Sequence, residues 1–142
     1  MSNLNKLIAL KNKHVFNVSP NENVFSALKM LVDNNIGALV VMEQGKTLGL
    51  FTERDYARKV VLLGKNSKEV LVAEIMNKQP VILAPNDTIA NAMQLMTDKM
   101  VRYILIVENE QLLAIVSIGD LVKYIIDQQD QTIQHLNKYI SS

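Results

Sequence analysis

The sequence predicts an α+β fold of two tandem β-α-β-β-α repeats, packed sheet to sheet about a pseudo-twofold axis. Three observations carry that expectation. Gly49-Leu-Phe-Thr52-Glu-Arg54-Asp55 returns as Ala114-Ile-Val-Ser117-Ile-Gly119-Asp120, so Asp55 and Asp120 stand 65 residues apart. Pro20-Asn21 returns as Pro85-Asn86 at the same spacing, so the repeat is ungapped. The same order of apolar patterns fills each copy, and one copy alone has too little sheet and helix to bury both faces. A fixed internal period identifies the unit of construction before any fold is named.

Each element has its own signal. Val15 to Val18, echoed by Val81 to Ala84, is short, apolar and β-prone. Pro20-Asn-Glu-Asn23 and Pro85-Asn-Asp-Thr88 read as turns into helices, with Asn21 or Asn86 and Asn23 or Thr88 as candidate caps. Val24, Ala27, Leu28, Leu31 and Val32 then recur at helical spacing, as do Ile89, Ala92, Met93, Met96 and Met100. Two β-rich runs follow, Ala38 to Met42 and Thr47 to Phe51, around Glu43-Gln-Gly-Lys46. Their counterparts are Tyr103 to Val107 and Leu112 to Val116, around Glu108-Asn-Glu-Gln111. Both pairs read as hairpins buried on two faces.

A closing helix starts near Thr52 or Ser117 and runs through Val60 to Leu62 or Ile125-Ile126. Residues 7–64 and 72–127 are thus the two repeats of a single module, 1–142. The tail, 128–142, continues an apolar spacing at 126, 133, 136 and 140. That is an amphipathic helix, better suited to cap the module or an oligomer interface than to bind a separate partner.

Composition narrows the function classes. With 49% apolar residues the chain can build a real core, and its net charge of +1 argues against a dedicated nucleic-acid binder. There is no cysteine, hence no disulfide, thiolate nucleophile or cysteine-bound metal. No apolar run approaches the ~18–20 residues of a membrane span, and the N-terminus lacks a signal-peptide core. The expected location is the cytoplasm.

Thr52-x-x-Asp55 and Ser117-x-x-Asp120 sit where a strand meets a helix. A hydroxyl followed three residues later by an acid resembles a capping box, which would satisfy helix N–H groups and nothing more. The same geometry suits a ligand. A helix N-terminus offers N–H groups to a phosphate, and a carboxylate one turn in accepts hydrogen bonds from ribose hydroxyls. The two readings are compatible, since the hydroxyl can cap while the carboxylate faces a ligand.

The β-α-β-β-α repeat, with its Gly-apolar-apolar-Thr/Ser-x-x-Asp ending, resembles a pair of cystathionine-β-synthase (CBS) domains, a Bateman module. The likeness covers roughly Leu7 to Asp127, and Glu74-Ile-Met76-Asn77 is similar to the family's usual opening. It implies a non-catalytic regulatory module that binds AMP, ADP, ATP, NAD or S-adenosylmethionine as a regulatory ligand in two clefts between the repeats. Asp55 and Asp120 would each hold a ribose. Thr52, Arg54, Arg102, Ser117 and Gly119 would lie near phosphates. Asn17, Ile36 and Gly37 would serve the Asp120 cleft, and Ile82, Val101 and Tyr103 the adenine of the Asp55 cleft. The family also implies a homodimer through the first helices, 24–34 and 88–100, where Met93, Met96 and Met100 offer an adaptable apolar surface. The alternative for these methionines is the core of their own module.

The copies are not identical. Arg102 corresponds to Gly37, Arg54 to Gly119, and Ala114 to Gly49. Arginine's planar fork suits phosphate oxygens, so the clefts are expected to differ in preference. Other motifs fail. Gly45-Lys-Thr47 lacks the earlier glycine of a P-loop, where Val40 stands. His14 and His135 have no ligand-like neighbours, so no metal site is expected. Arg58, Lys59, Lys65 and Lys68 read as a solvated face. No nucleophile is paired with a base, which leaves a sensor acting in trans on an effector protein, or a structural dimerisation module that binds no nucleotide.

Overall fold

The fold is that of a computed structural model describing residues 2–11 and 14–141, without the side chains of 135, 139 and 141. The earlier reading of His135 therefore lies outside the described residues. The chain forms two compact units, one of residues 14–81 and one joining the N-terminal segment to residues 82 onward.

In the 14–81 unit, β1 (Asn17–Val18) pairs parallel with β2 (Ala38–Glu43), and β2 pairs antiparallel with β3 (Lys46–Thr52). The hairpin turns through Gln44 and Gly45, both at positive φ. That backbone matches the right-handed twist of the flanking strands. Helix α2 (Val24–Asn34) crosses from β1 to β2. Of the two candidate caps, Asn23 is the one used, its side chain accepting from the Ser26 amide at 2.8 Å. Asn35 ends the helix in the left-handed region while the Ile36 amide reaches back to the Leu31 carbonyl.

Leu31, Leu39, Val41 and Phe51 join Val18, Val24, Ala27, Val60 and Ile75 in one buried cluster. Ala38, Val40 and Leu50 on the opposite face of the sheet are also buried, so the two-faced pattern expected of these strands holds. The expected closing helix runs from Glu53 to Val61 but changes type along its length. Helix α3 (Glu53–Tyr56) widens into a π-helical stretch, Ala57–Val61, which directs Val60 into the core and leaves Val61 and Leu62 exposed. Val32, part of the expected apolar stripe, is likewise exposed.

The second unit repeats the plan. After α4 of the first unit (Val72–Ile75), the chain passes into β4 (Ile82–Leu83), α5 (Ile89–Lys99), β5 (Tyr103–Glu108) and β6 (Gln111–Ser117), with sheet order β4-β5-β6. Thr88 caps α5 by accepting from the Asn91 amide. Met96 is buried, as the core alternative for the methionines required, whereas Met100 is exposed and closes α5 at φ 55°. A β-carbon is strained there. Met100→Gly is therefore expected to stabilise the protein by roughly 0.5–1 kcal/mol, read as a raised urea midpoint with unchanged slope.

The closing helix α6 runs unbroken from Ile118 to Ser141, so the expected tail is the continuation of the second repeat's last helix.

The opening helices dock in a pattern the sequence did not show. Helix α1 (Leu4–Leu10) joins the second unit, with the Leu4 amide on the Asp87 carbonyl at 2.9 Å and Asn5 on Pro85 at 3.0 Å. Helix α4 makes the matching bonds in the first unit, Val72 to Glu22 at 2.9 Å and Ala73 to Pro20 at 3.0 Å. Each opening helix thus covers the turn before a first helix, with Leu4 and Leu7 buried in one case and Val72 and Ile75 in the other.

Candidate functional site

Both expected motifs fold as the sequence pattern demands, at the end of β3 and of β6. Thr52 Oγ1 accepts the Asp55 amide at 3.2 Å, while Asp55 Oδ2 accepts the Thr52 amide at 3.1 Å and its hydroxyl at 3.0 Å. Ser117 Oγ accepts the Asp120 amide at 3.0 Å, and Asp120 Oδ2 accepts the Ser117 amide at 2.9 Å. Each is a reciprocal box, and Asp is long enough to close it. The helix after each hydroxyl is also held from β2 or β5's approach: Glu53 donates to the Gly37 carbonyl at 3.2 Å and Ile118 to the Arg102 carbonyl at 2.8 Å. That backbone role explains how glycine and arginine can occupy equivalent positions.

Each carboxylate also meets a lysine. Lys59 Nζ lies 3.3 Å from Asp55 Oδ1 and donates to the Ile75 carbonyl at 2.9 Å. Lys11 Nζ lies 2.5 Å from Asp120 Oδ2 and donates to the Ile115 carbonyl at 2.7 Å. Burial pushes the Asp120 carboxyl up, but the Lys11 hydrogen bond, the Ser117 amide, the Lys11 charge and the Ser117 hydroxyl together hold it below its ordinary value. Sequence reasoning missed both lysines. Lys59 had a signal, four residues after Asp55 on one helix, and was assigned to a solvated face. Lys11 had none, because it reaches its partner from 109 residues away.

The 14–81 unit brings Gly37 together with Thr52 and Asp55, and holds Asn17, Ile36 and Arg54. Asn17 is exposed on β1 opposite Val40, Ile36 is half-buried after α2, and Arg54 is exposed. The second unit brings Arg102 and Tyr103 to Ser117 and Asp120, since Tyr103 stands opposite Ser117 in the β5–β6 ladder. Val101 is half-buried, while Ile82 and Gly119 are exposed. A groove of about 400 Å³ beside α6, lined by Ile89, Tyr124, Ile125 and Ile133 among others, contains none of the expected residues. Among the described residues no group of three or more His, Cys, Asp or Glu side chains is placed to share a metal, and no helix is long and apolar enough to cross a membrane.

A duplicated three-stranded α+β unit, with a capped carboxylate at the end of each last strand, defines a class of tandem-repeat modules. The CBS-domain family model matches residues 8–62 and 72–127, and the chain belongs to that family. It is 36% identical over 124 residues to the mitochondrial CBS domain-containing protein CBSX3 of Arabidopsis thaliana, covering 84% of this chain and 60% of that protein. It thus spans about 60% of that relative's length. It is 36% identical over 107 residues to the CBS domain-containing protein YhcV of Bacillus subtilis, covering 75% of this chain and 76% of that one. A solved protein with CBS domains from Burkholderia ambifaria superposes with a TM-score of 0.87 at 34% identity, covering 90% of this chain and 96% of that chain. CBS pairs are a family of regulatory modules that often bind adenosine ligands.

Proposed function

We propose that this chain is a non-catalytic sensor of an adenosine-containing ligand, AMP, ADP, ATP, NAD or S-adenosylmethionine, that signals in trans to an effector protein. The observation that supports it most is the doubled carboxylate: Asp55 and Asp120 each stand at a helix start, paired with a lysine and set in a capping box with a hydroxyl. In this reading the ligand sets its ribose on Asp55 or on Asp120. Its phosphates lie near Thr52, Arg54, Arg102, Ser117 and Gly119. Its adenine lies near Asn17, Ile36 and Gly37, or near Ile82, Val101 and Tyr103. The ligand shifts the module between conformations only by its difference in affinity for them; ~1.4 kcal/mol of difference changes their ratio about tenfold.

The capping geometry equally serves the second reading, a structural interaction module without nucleotide. Titration calorimetry with AMP, ATP, NAD and S-adenosylmethionine separates the two. Binding is expected, weakened about tenfold or more by Asp55→Asn or Asp120→Asn at separate sites; asparagine keeps a cap acceptor but loses the charge. No heat and no melting shift at millimolar ligand would sink the sensor reading for these ligands.

Self-association belongs to the same proposal. CBS-CP12 proteins from bloom-forming cyanobacteria, described as hexameric, share the fold at TM-scores of 0.75 and 0.74. In this chain α2 exposes Phe25 and Val32, and Met100, the residue closing α5, is exposed too. These give the first helices an apolar surface for a homodimer.

A further inference from the structure

The outer stripe of α6 has the pattern of a seam between two helices. Val122, Ile126, Gln129, Ile133, Leu136 and Ile140 follow one another at intervals of 4, 3, 4, 3 and 4 residues. The five apolar members are between 41% and 79% exposed. The face that packs on the unit is a different one. Leu121 and Tyr124 are buried and Gln128 half-buried, on a line roughly 130° around the helix from the stripe.

From Gln129 onward, every side chain the structure describes is exposed. A bare helical extension of about a dozen residues is marginal in water and needs a packing partner. The sequence of the stripe states which one. Its spacing alternates between 4 and 3, the a and d spacing of helices that pair in a left-handed supercoil, and Ile126, Ile133 and Ile140 recur seven residues apart. Read as a heptad, it places Ile126, Ile133 and Ile140 at every a position and Leu136 at a d position, the combination that favours two parallel strands.

We propose that α6 pairs in parallel with α6 of a second copy of this chain, over about 27 Å from Val122 to Ile140. Charge agrees with that partner and direction. A parallel pair sets Ile125 beside the partner's Asp130, and Thr132 beside the partner's Asn137, with no like charges opposed. An antiparallel pair would bring Asp130 against the partner's Asp130. Gln129 faces its own copy in the parallel register, where two amides can hydrogen-bond and fix the alignment. The apolar surface now exposed on the stripe amounts, over two copies, to on the order of 1,000 Å², the lower bound of a specific interface.

The absence of cysteine makes the test clean. Full-length Ile133→Cys is oxidised at micromolar concentration beside Gln131→Cys, whose side chain lies on the far side of the helix. The parent is sedimented in parallel. The parent is expected to be at least dimeric, and Ile133→Cys to form a disulfide-linked dimer about ten times faster than Gln131→Cys or more, because paired helices hold the thiols at far above their bulk concentration. A monomeric parent overturns the proposal. So does a dimeric parent in which the two variants cross-link equally, since that dimer uses another face. Faster linking of Ile133→Cys to Gln129→Cys than to itself would show an antiparallel pair and overturn it as well.

Discussion

Gly49→Ala lowers the unfolding free energy by about 2–3 kcal/mol, while Ala114→Gly at the equivalent position costs about 1 kcal/mol or less. The difference comes from what lies across the last strand. The Leu50 amide donates to the Asn77 carbonyl at 3.0 Å and the Asn77 amide to Leu50 at 2.8 Å, so the segment after α4 pairs along β3. A Cβ on Gly49 would sit 2.5 Å from the Asn77 carbonyl oxygen and 3.2 Å from the Met76 sulfur. The sulfur can move; the carbonyl is tied into the bridge. Among the described residues no bridge crosses Ala114, so a methyl group fits there. Urea unfolding of both variants checks this. Equal losses, or a neutral Gly49→Ala, would mean that the 76–77 segment yields and that the glycine has no steric task.

Lys11→Met is expected to cost roughly 1 kcal/mol at neutral pH and much less in acid. Lys11 is the only link from α1 to Asp120 among the described hydrogen bonds, and the pair is about a third exposed, so solvent screening keeps the loss modest. The sign follows from the direction of the Asp120 shift. A carboxyl held below its unfolded value near 3.9 contributes stability that is complete above that value and vanishes as pH falls through the folded one. The variant and the parent should therefore differ most above the unfolded carboxyl's value and converge as the pH falls through the lower, folded one. A stability difference that is the same at neutral and acid pH would show that Lys11 acts by packing its alkyl chain and not through its charge. If the ribose reading holds, the same variant alters ligand affinity at Asp120, because the ammonium occupies the carboxylate that the diol would use.

Much of the architecture was legible because its signals are local. The β-α-β-β-α order, the two-residue hairpin turns and the caps at Asn23 and Thr88 follow from periodicity and turn chemistry within a dozen residues. The reciprocal boxes at Thr52 and Ser117 were readable for the same reason. What escaped depends on contacts remote in sequence. Nothing around Lys11 points to Asp120, and nothing in Glu74-Ile-Met-Asn77 says that it braces the strand before it while α1 braces the turn at 85–89. The π-helical widening after Tyr56 also escaped, since a helix pattern does not show how many residues close each turn. The duplicated motif proved more informative in its differences than in its likeness. Gly49 against Ala114 marks where a backbone crosses, and Lys59 against Lys11 marks where a carboxylate is tied to its own helix or to a distant one.

The docking of α1 sets an order on how the chain matures. The unit of residues 14–81 is continuous and holds its own opening helix, α4, so it can complete itself as soon as residue 81 has left the ribosome. Helix α1 is synthesised before that unit but its segment has its partners at Pro85, Asp87 and Asp120. It stays with Leu4 and Leu7 uncovered until the second repeat has been made. A segment made before the first repeat is thus seated after it, by a closure that reaches across 109 residues from Lys11 to Asp120.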